Sequence, residues 1–169
     1  MILFRGYPGI GKTTLALELC RSLRWPLLSK DDVKDPLVES GLIECNDATY
    51  PVLKRLLETQ LQCGLSCVIE TPLGRRDLYD MFCEAAQTFK ARVILLDCVL
   101  GETEWKVRLL ERAKHQPPDC QKPKDPDKVL EHYGKGIKFA CDPSEYFQVV
   151  MDRPPSELCR DCIAKIQQE

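Results

Sequence analysis

Eight residues near the start of the chain, GYPGIGKT from Gly6 to Thr13, follow the pattern G-x-x-x-x-G-K-[ST]. Gly6, Gly9 and Gly11 let the backbone turn without Cβ clashes, so successive amide groups can face a single anion. Tyr7, Pro8 and Ile10 fill the loop, and the expected nucleotide-binding stretch runs on through Thr14. Lys12 has the length and charge to lie along β- and γ-phosphates. Thr13 offers a hydroxyl to Mg²⁺, and the helix opening there directs its positive dipole end at the same anion. The expected cofactors are therefore ATP and Mg²⁺.

A phosphate held this way calls for an acceptor, and the polar residues further along can be read for one. Asp31 and Asp32, within SKDD, offer a carboxylate to orient a hydroxyl and take its proton. Both can instead cap the short helix that VKDPLVES would form, so the reading divides the labour: one carboxylate caps and the other is catalytic. Lys34 follows two residues on. Glu70 closes an apolar run and can reach Mg²⁺ together with Thr13. Arg75 and Arg76 open the next helix and are candidates for an anionic group on the acceptor. Arg108 and Arg112 share a helix face with Trp105 and His115, as arginines closing over a triphosphate would. The alternative there is a solvated face with Glu111 and Lys114 paired locally.

These residues need a scaffold. Ile2 to Phe4, Trp25 to Leu28, Leu65 to Glu70, Ala91 to Val99 and Tyr146 to Asp152 read as short strands. Helical spacing follows the loop at Leu15, Leu19 and Leu23, and recurs over Asp47 to Cys63, Arg75 to Phe89, Glu102 to His115 and Pro155 to Ile166. Gln116 to Glu145, rich in Pro, Lys and Asp, reads as a long connection with a short helix near Val129 to Tyr133. Continuous apolar strands alternating with helices predict an α/β fold whose parallel sheet is covered on both faces, with ligands beyond the strand carboxyl ends. Every polar motif falls at such an end, Asp97 included.

The segments GYPGIGKTT, LLSKDDVKD, CVIETPLGRRDLYD, VRLLERAK and YFQVVMDRPPSELC resemble the P-loop kinase family that includes phage polynucleotide kinase, chloramphenicol phosphotransferase and zeta-toxin-like proteins. The resemblance spans nearly the whole chain and implies a P-loop three-layer sandwich. Its five-stranded parallel sheet would have order 2-3-1-4-5, with helices on both faces and a helical lid. It also implies that Asp31 is the general base and that Arg108 and Arg112 are lid arginines. The chain departs from the family pattern at Lys34, where polynucleotide kinases carry Arg, and at ETPLG. There Glu70 stands for an Asp, and Pro72 removes an amide side chain.

At 169 residues with net charge −2, one domain over 1–169 is expected, its lid and connection covering about 102–145. The mixed charge argues against general nucleic-acid binding, and no apolar run is long enough for a membrane span. A strand starting at residue 2 leaves no room for a targeting peptide, so the expected location is cytoplasmic. Of ten cysteines, Cys20, Cys63, Cys67, Cys83, Cys98 and Cys162 fall in apolar segments and read as core, while Cys159 and Cys162 form a lone C-x-x-C on a helix. The functional expectation is an ATP-dependent phosphotransferase acting on a hydroxyl of a small-molecule or nucleoside-like acceptor. The alternatives are a nucleic-acid 5′-hydroxyl kinase and an ATP-dependent switch that hydrolyses slowly.

Overall fold

The apolar runs become five strands, β1 (Ile2–Arg5), β2 (Leu27–Ser29), β3 (Val68–Glu70), β4 (Ile94–Val99) and β5 (Tyr146–Val150). Among the described residues seven helices accompany them: α1 (Lys12–Leu23), α2 (Lys30–Glu39), α3 (Thr49–Gln62), α4 (Arg76–Thr88), α5 (Glu102–Lys114), α6 (Pro126–Tyr133) and α7 (Pro155–Gln167). The structure, a computed structural model, describes residues 1–41, 47–116, 122–134, 139, 141 and 146–167. Much of the connection read over Gln116 to Glu145 lies outside the described residues.

All strand pairs are parallel and the sheet order is β2-β3-β1-β4-β5, the order implied by the resemblance. Alternation along β1 divides the core between the two faces. Ile2 and Phe4 join Leu15, Leu19, Trp105, Leu109 and Leu158 beneath α1, α5 and α7. Leu3 joins Leu53, Leu57, Phe82 and Leu95 beneath α3 and α4. Each such fully buried aliphatic or aromatic side chain contributes roughly 1.5–3 kcal/mol. Among the described residues no helix is long and apolar enough to cross a membrane.

Several expectations need correction. The helix read from VKDPLVES begins earlier, at Lys30, and carries Pro36 within it. Its cap is neither aspartate: the Ser29 hydroxyl accepts the Asp31 N–H at 3.3 Å, leaving Asp31 and Asp32 in the first turn. Asp97, towards the end of β4, is turned to partners within the fold. It pairs with Arg5 Nε at 2.8 Å and accepts the Tyr146 hydroxyl at 2.7 Å, tying β1, β4 and β5 together in a buried cluster. Cys63, the C-cap residue after α3, is exposed, and Cys20 and Cys83 are only half-buried. Cys67, Cys98, Cys159 and Cys162 are buried, and among the described residues no metal-binding cluster of His, Cys, Asp or Glu occurs.

Candidate active site

The loop between β1 and α1 has a backbone that two close contacts make specific to glycine. At Gly6 (φ +145°) a Cβ would stand 2.6 Å from the Cys98 carbonyl oxygen, and at Gly9 (φ +81°) it would stand 2.8 Å from Leu109 Cδ1. Trp105 pins the loop from above, donating its indole N–H to the Pro8 carbonyl at 2.8 Å while its ring packs 4.9 Å from that of Tyr7. Gly11 is the N-cap of α1, so no side chain caps this helix and its first amides remain for an external anion. The Lys12 ammonium donates to the Gly6 and Tyr7 carbonyls at 3.0 Å each and stands 3.9 Å from Glu70 Oε1. Burial pushes its pKa down, with Glu70 opposing.

The β2 and β3 ends form the opposite side. Register places Ser29 beside Glu70, and the Ser29 hydroxyl donates to Glu70 Oε2 at 3.3 Å. One serine thus caps α2 and steadies the carboxylate that faces Lys12. Asp31, half-buried on the first turn of α2, lies 3.0 Å from the Lys122 ammonium.

After β3 the chain turns through Thr71–Pro72–Leu73–Gly74. Leu73 takes a left-handed conformation (φ +48°), which is costly for a branched side chain. Full burial of Leu73 and donation of its N–H to Thr71 Oγ1 at 3.0 Å hold it there. Because Gly74 lacks a side chain, the Tyr133 ring lies against it, where a Cβ would come within 2.8 Å. Tyr133 ends α6, a helix opened by Asp125, whose carboxylate accepts the Asp127 and Lys128 amides, with Pro126 in the first turn. Beyond it, the Tyr7 hydroxyl donates to the Gly134 carbonyl at 2.7 Å. Helix α6 is thereby a strap, joined to the phosphate loop through Tyr7 and to the β3–α4 turn through Tyr133.

Under the strap lies a cleft of about 760 Å³. Of the residues singled out from the sequence, it is lined by Pro8, Gly9, Lys12, Thr13, Asp31, Lys34, Glu70, Arg75 and Arg112. Gly6, Tyr7, Ile10, Gly11 and Thr14 shape the loop without lining it. Asp32 is exposed and outside the cleft. Arg76 turns away to Asp80 at 2.7 Å. Arg108 is not in the lining either: its guanidinium donates to the Met151 carbonyl at 2.7 Å and to Glu104 at 2.6 Å, whereas Arg112 reaches the cleft and the Pro123 carbonyl at 2.7 Å. Trp105 is buried inward and His115 exposed beside Glu111, so the stripe read from spacing splits.

The sequence reading missed Lys30, Tyr50, Thr71, Tyr133 and the strap lysines, all of which line the cleft. Spacing gave no signal for them, since they converge from separate elements. Burial raises the pKa of Tyr50, and pushes that of Tyr133 up to about 12, so both phenols remain neutral hydrogen-bonding groups at neutral pH.

The sequence model of an AAA domain family, AAA_33, matches residues 1–133. Three solved structures share the fold. A proposed kinase from Chloroflexus aurantiacus is 22% identical with TM-score 0.79, the match covering 98% of this chain and 97% of that one. A gluconokinase from Sinorhizobium meliloti is 16% identical with TM-score 0.70, over 99% and 91%. The Mycobacterium tuberculosis APS kinase CysC, in complex with AMPPNP and APS, is 16% identical with TM-score 0.64, over 98% and 96%. No curated protein matches the sequence.

Proposed function

The chain belongs to the AAA_33 family of AAA domains, and from that premise we propose that it is an ATP-dependent phosphotransferase moving the γ-phosphoryl group to a hydroxyl of a small acceptor. The observation that carries the reading is the convergence of Lys12, Glu70 and Asp31 on one cleft, with a phosphate loop on one wall and a carboxylate on another. The kinases among its structural neighbours, one holding AMPPNP and APS, support the same chemistry.

Lys12, the uncapped amides of α1 and Arg112 would hold and neutralise the phosphates. Thr13 and Glu70 both line the cleft and offer the hard oxygen ligands that Mg²⁺ takes, so the residues fit that ion. When bound, Mg²⁺ supplies charge neutralisation at the phosphate oxygens. Asp31 would accept the proton of the acceptor hydroxyl as its oxygen bonds to the γ-phosphorus and the bond to the ADP oxygen breaks. The strap supports a small acceptor over a nucleic-acid end, because ties to Tyr7 and Gly74 cover the cleft with a helix. A slow switch would have no use for Asp31 in such a cleft.

The test is acceptor-dependent ADP release, screened over small hydroxyl compounds and short oligonucleotides. Asp31→Asn should lower transfer by about 10²–10⁴ while Mg-ATP still binds. Wild-type transfer in that variant would remove Asp31 from the reaction, and absence of any stimulating acceptor would favour the switch.

A further inference from the structure

The walls of the cleft are tied to one another in a closed circuit. The Gly6 amide donates to the Pro72 carbonyl at 3.3 Å, joining the phosphate loop to the β3–α4 turn. Further along that turn, Gly74 receives the ring of Tyr133 from α6. Gly134, next after Tyr133, accepts the hydroxyl of Tyr7 at 2.7 Å, and Tyr7 follows Gly6 in the loop. Loop, turn and strap thus meet pairwise around the same space.

Tyr7 is where the circuit passes through the phosphate loop. Its backbone carbonyl accepts the Lys12 ammonium at 3.0 Å and the Ile10 amide at 3.4 Å. Its ring lies 4.9 Å from that of Trp105 on α5 and 6.4 Å, edge to face, from that of Tyr133 on α6. The cradle itself does not call for this side chain. Position 7 is one of the variable places in the G-x-x-x-x-G-K-[ST] pattern, and a phosphate nest is built from backbone amides. The phenol is directed to the strap instead. The loop conformation that leaves the first α1 amides open to an anion is also the one that stacks Tyr7 on Trp105 and carries its hydroxyl to Gly134. A phosphate held by those amides selects that conformation, and with it the seat of α6.

On the phosphotransferase reading above, we infer that Tyr7 is a positioning residue that couples the nucleotide half of the site to the acceptor half. Phosphates bound on the loop hold Tyr7 in place, and Tyr7 holds α6 over the cleft. The strap is therefore held most firmly in the nucleotide-loaded protein, and an acceptor meets a better-formed cleft there than in the empty one. Coupling of this kind is reciprocal, so releasing α6 weakens nucleotide binding by up to the same factor. The bond from Tyr7 to Gly134 sets the scale at about 2–10-fold, the net contribution of one hydrogen bond.

The experiment is hydrogen–deuterium exchange of the full chain with and without saturating Mg-AMPPNP, read at the amides of α6 at short exposure times, where local opening dominates. Three proteins are compared. Tyr7→Phe keeps the ring and removes the bond to Gly134, whereas Tyr7→Ala removes both. Mg-AMPPNP should slow α6 exchange by about 2–10-fold in the wild type, by less in Tyr7→Phe and not at all in Tyr7→Ala. Calorimetry should find Mg-AMPPNP binding weakened by up to the same factor in the variants. Should Tyr7→Ala fail to fold, Tyr7→Phe, which keeps the ring, carries the test by itself. A residue that merely braced the fold would raise α6 exchange equally with and without nucleotide. The same nucleotide-dependent slowing in wild type and variants would therefore overturn the inference, as would a wild-type α6 that nucleotide leaves unchanged. A wild-type protein that does not bind Mg-AMPPNP would overturn the phosphotransferase reading itself and this inference with it.

Discussion

Replacing Lys12 with Met should separate the two things that this side chain does. With ligand at about 100 times its dissociation constant, Mg-ATP should stabilise the wild type by about 2.7 kcal/mol. For a chain of this size that is a rise in Tm of roughly 5–10 °C, at about 2–4 °C per kcal/mol. Lys12 would make charge-assisted bonds to two phosphates, each contributing roughly 1.5–3 kcal/mol, so Lys12→Met should weaken binding by about 10²–10⁴. At the same ATP concentration the ligand excess falls to about one or less, and the stabilisation to about 0.4 kcal/mol at most. The melting shift should all but vanish.

Without ligand the same substitution should act in the other direction. Lys12 is buried and its pKa is lowered by that burial, with Glu70 opposing, so the folded state binds this proton less tightly than the unfolded chain. The penalty is complete at pH values below the depressed folded pKa. It fades as pH rises through that value and is gone above lysine's ordinary range. Because that cost lies on the wild type alone, ligand-free Lys12→Met should melt at or above the wild type, as expected of a functional group held at a cost in stability. Thermal melts with and without Mg-ATP measure both effects. Equal ATP shifts in the two proteins would refute the phosphate role. A ligand-free variant melting more than about 5 °C lower would show that the bonds to the Gly6 and Tyr7 carbonyls outweigh burial.

Gly6→Ala should destabilise the fold by roughly 2–4 kcal/mol in urea unfolding, because its Cβ meets the Cys98 carbonyl at 2.6 Å from a left-handed backbone. Ser29→Ala should cost about 1 kcal/mol through loss of the α2 cap, while Asp32→Asn should change neither stability nor acceptor-dependent turnover; a larger loss from Asp32→Asn would restore it as a cap or base. Arg112→Ala should slow transfer by about 10² or more, and Arg108→Ala by less, since only Arg112 lines the cleft. Steady-state kinetics with a common acceptor decide this, and equal losses would mean that Arg108 leaves Met151 when nucleotide binds.

What could be read from the sequence was whatever a short stretch of chain fixes by itself. The phosphate loop is of that kind: glycines at set spacing, a lysine and a helix start act within eight residues, and the apolar runs on either side had only one packing to choose. The strand order followed from the resemblance. Asp31 and Asp32 could not be separated by spacing, since either suits a first turn; the structure caps the helix with Ser29 in place of both, and of the two only Asp31 lines the cleft. Arg108 and Arg112 failed to stay together for a related reason. Four residues apart, they share a face of α5, but the end of β5 lies nearer one and the strap nearer the other.

The wall of the cleft opposite the phosphate loop was invisible for a stronger reason, because no segment contains it. Tyr50 comes from α3, Thr71 and Gly74 from the β3–α4 turn, and Tyr133 with its lysines from the strap, and they meet only when both faces of the sheet are packed. Gly74 illustrates the point: in the sequence it is one more turn glycine, and only the ring of Tyr133 lying where its Cβ would be gives it a reason. The same contact makes the wall's shape depend on the strap. Lys122 and Lys128 are carried by the segment that Tyr133 and Tyr7 tie down, so the shape of the cleft beside Asp31 and the anchoring of α6 rest on the same two tyrosines.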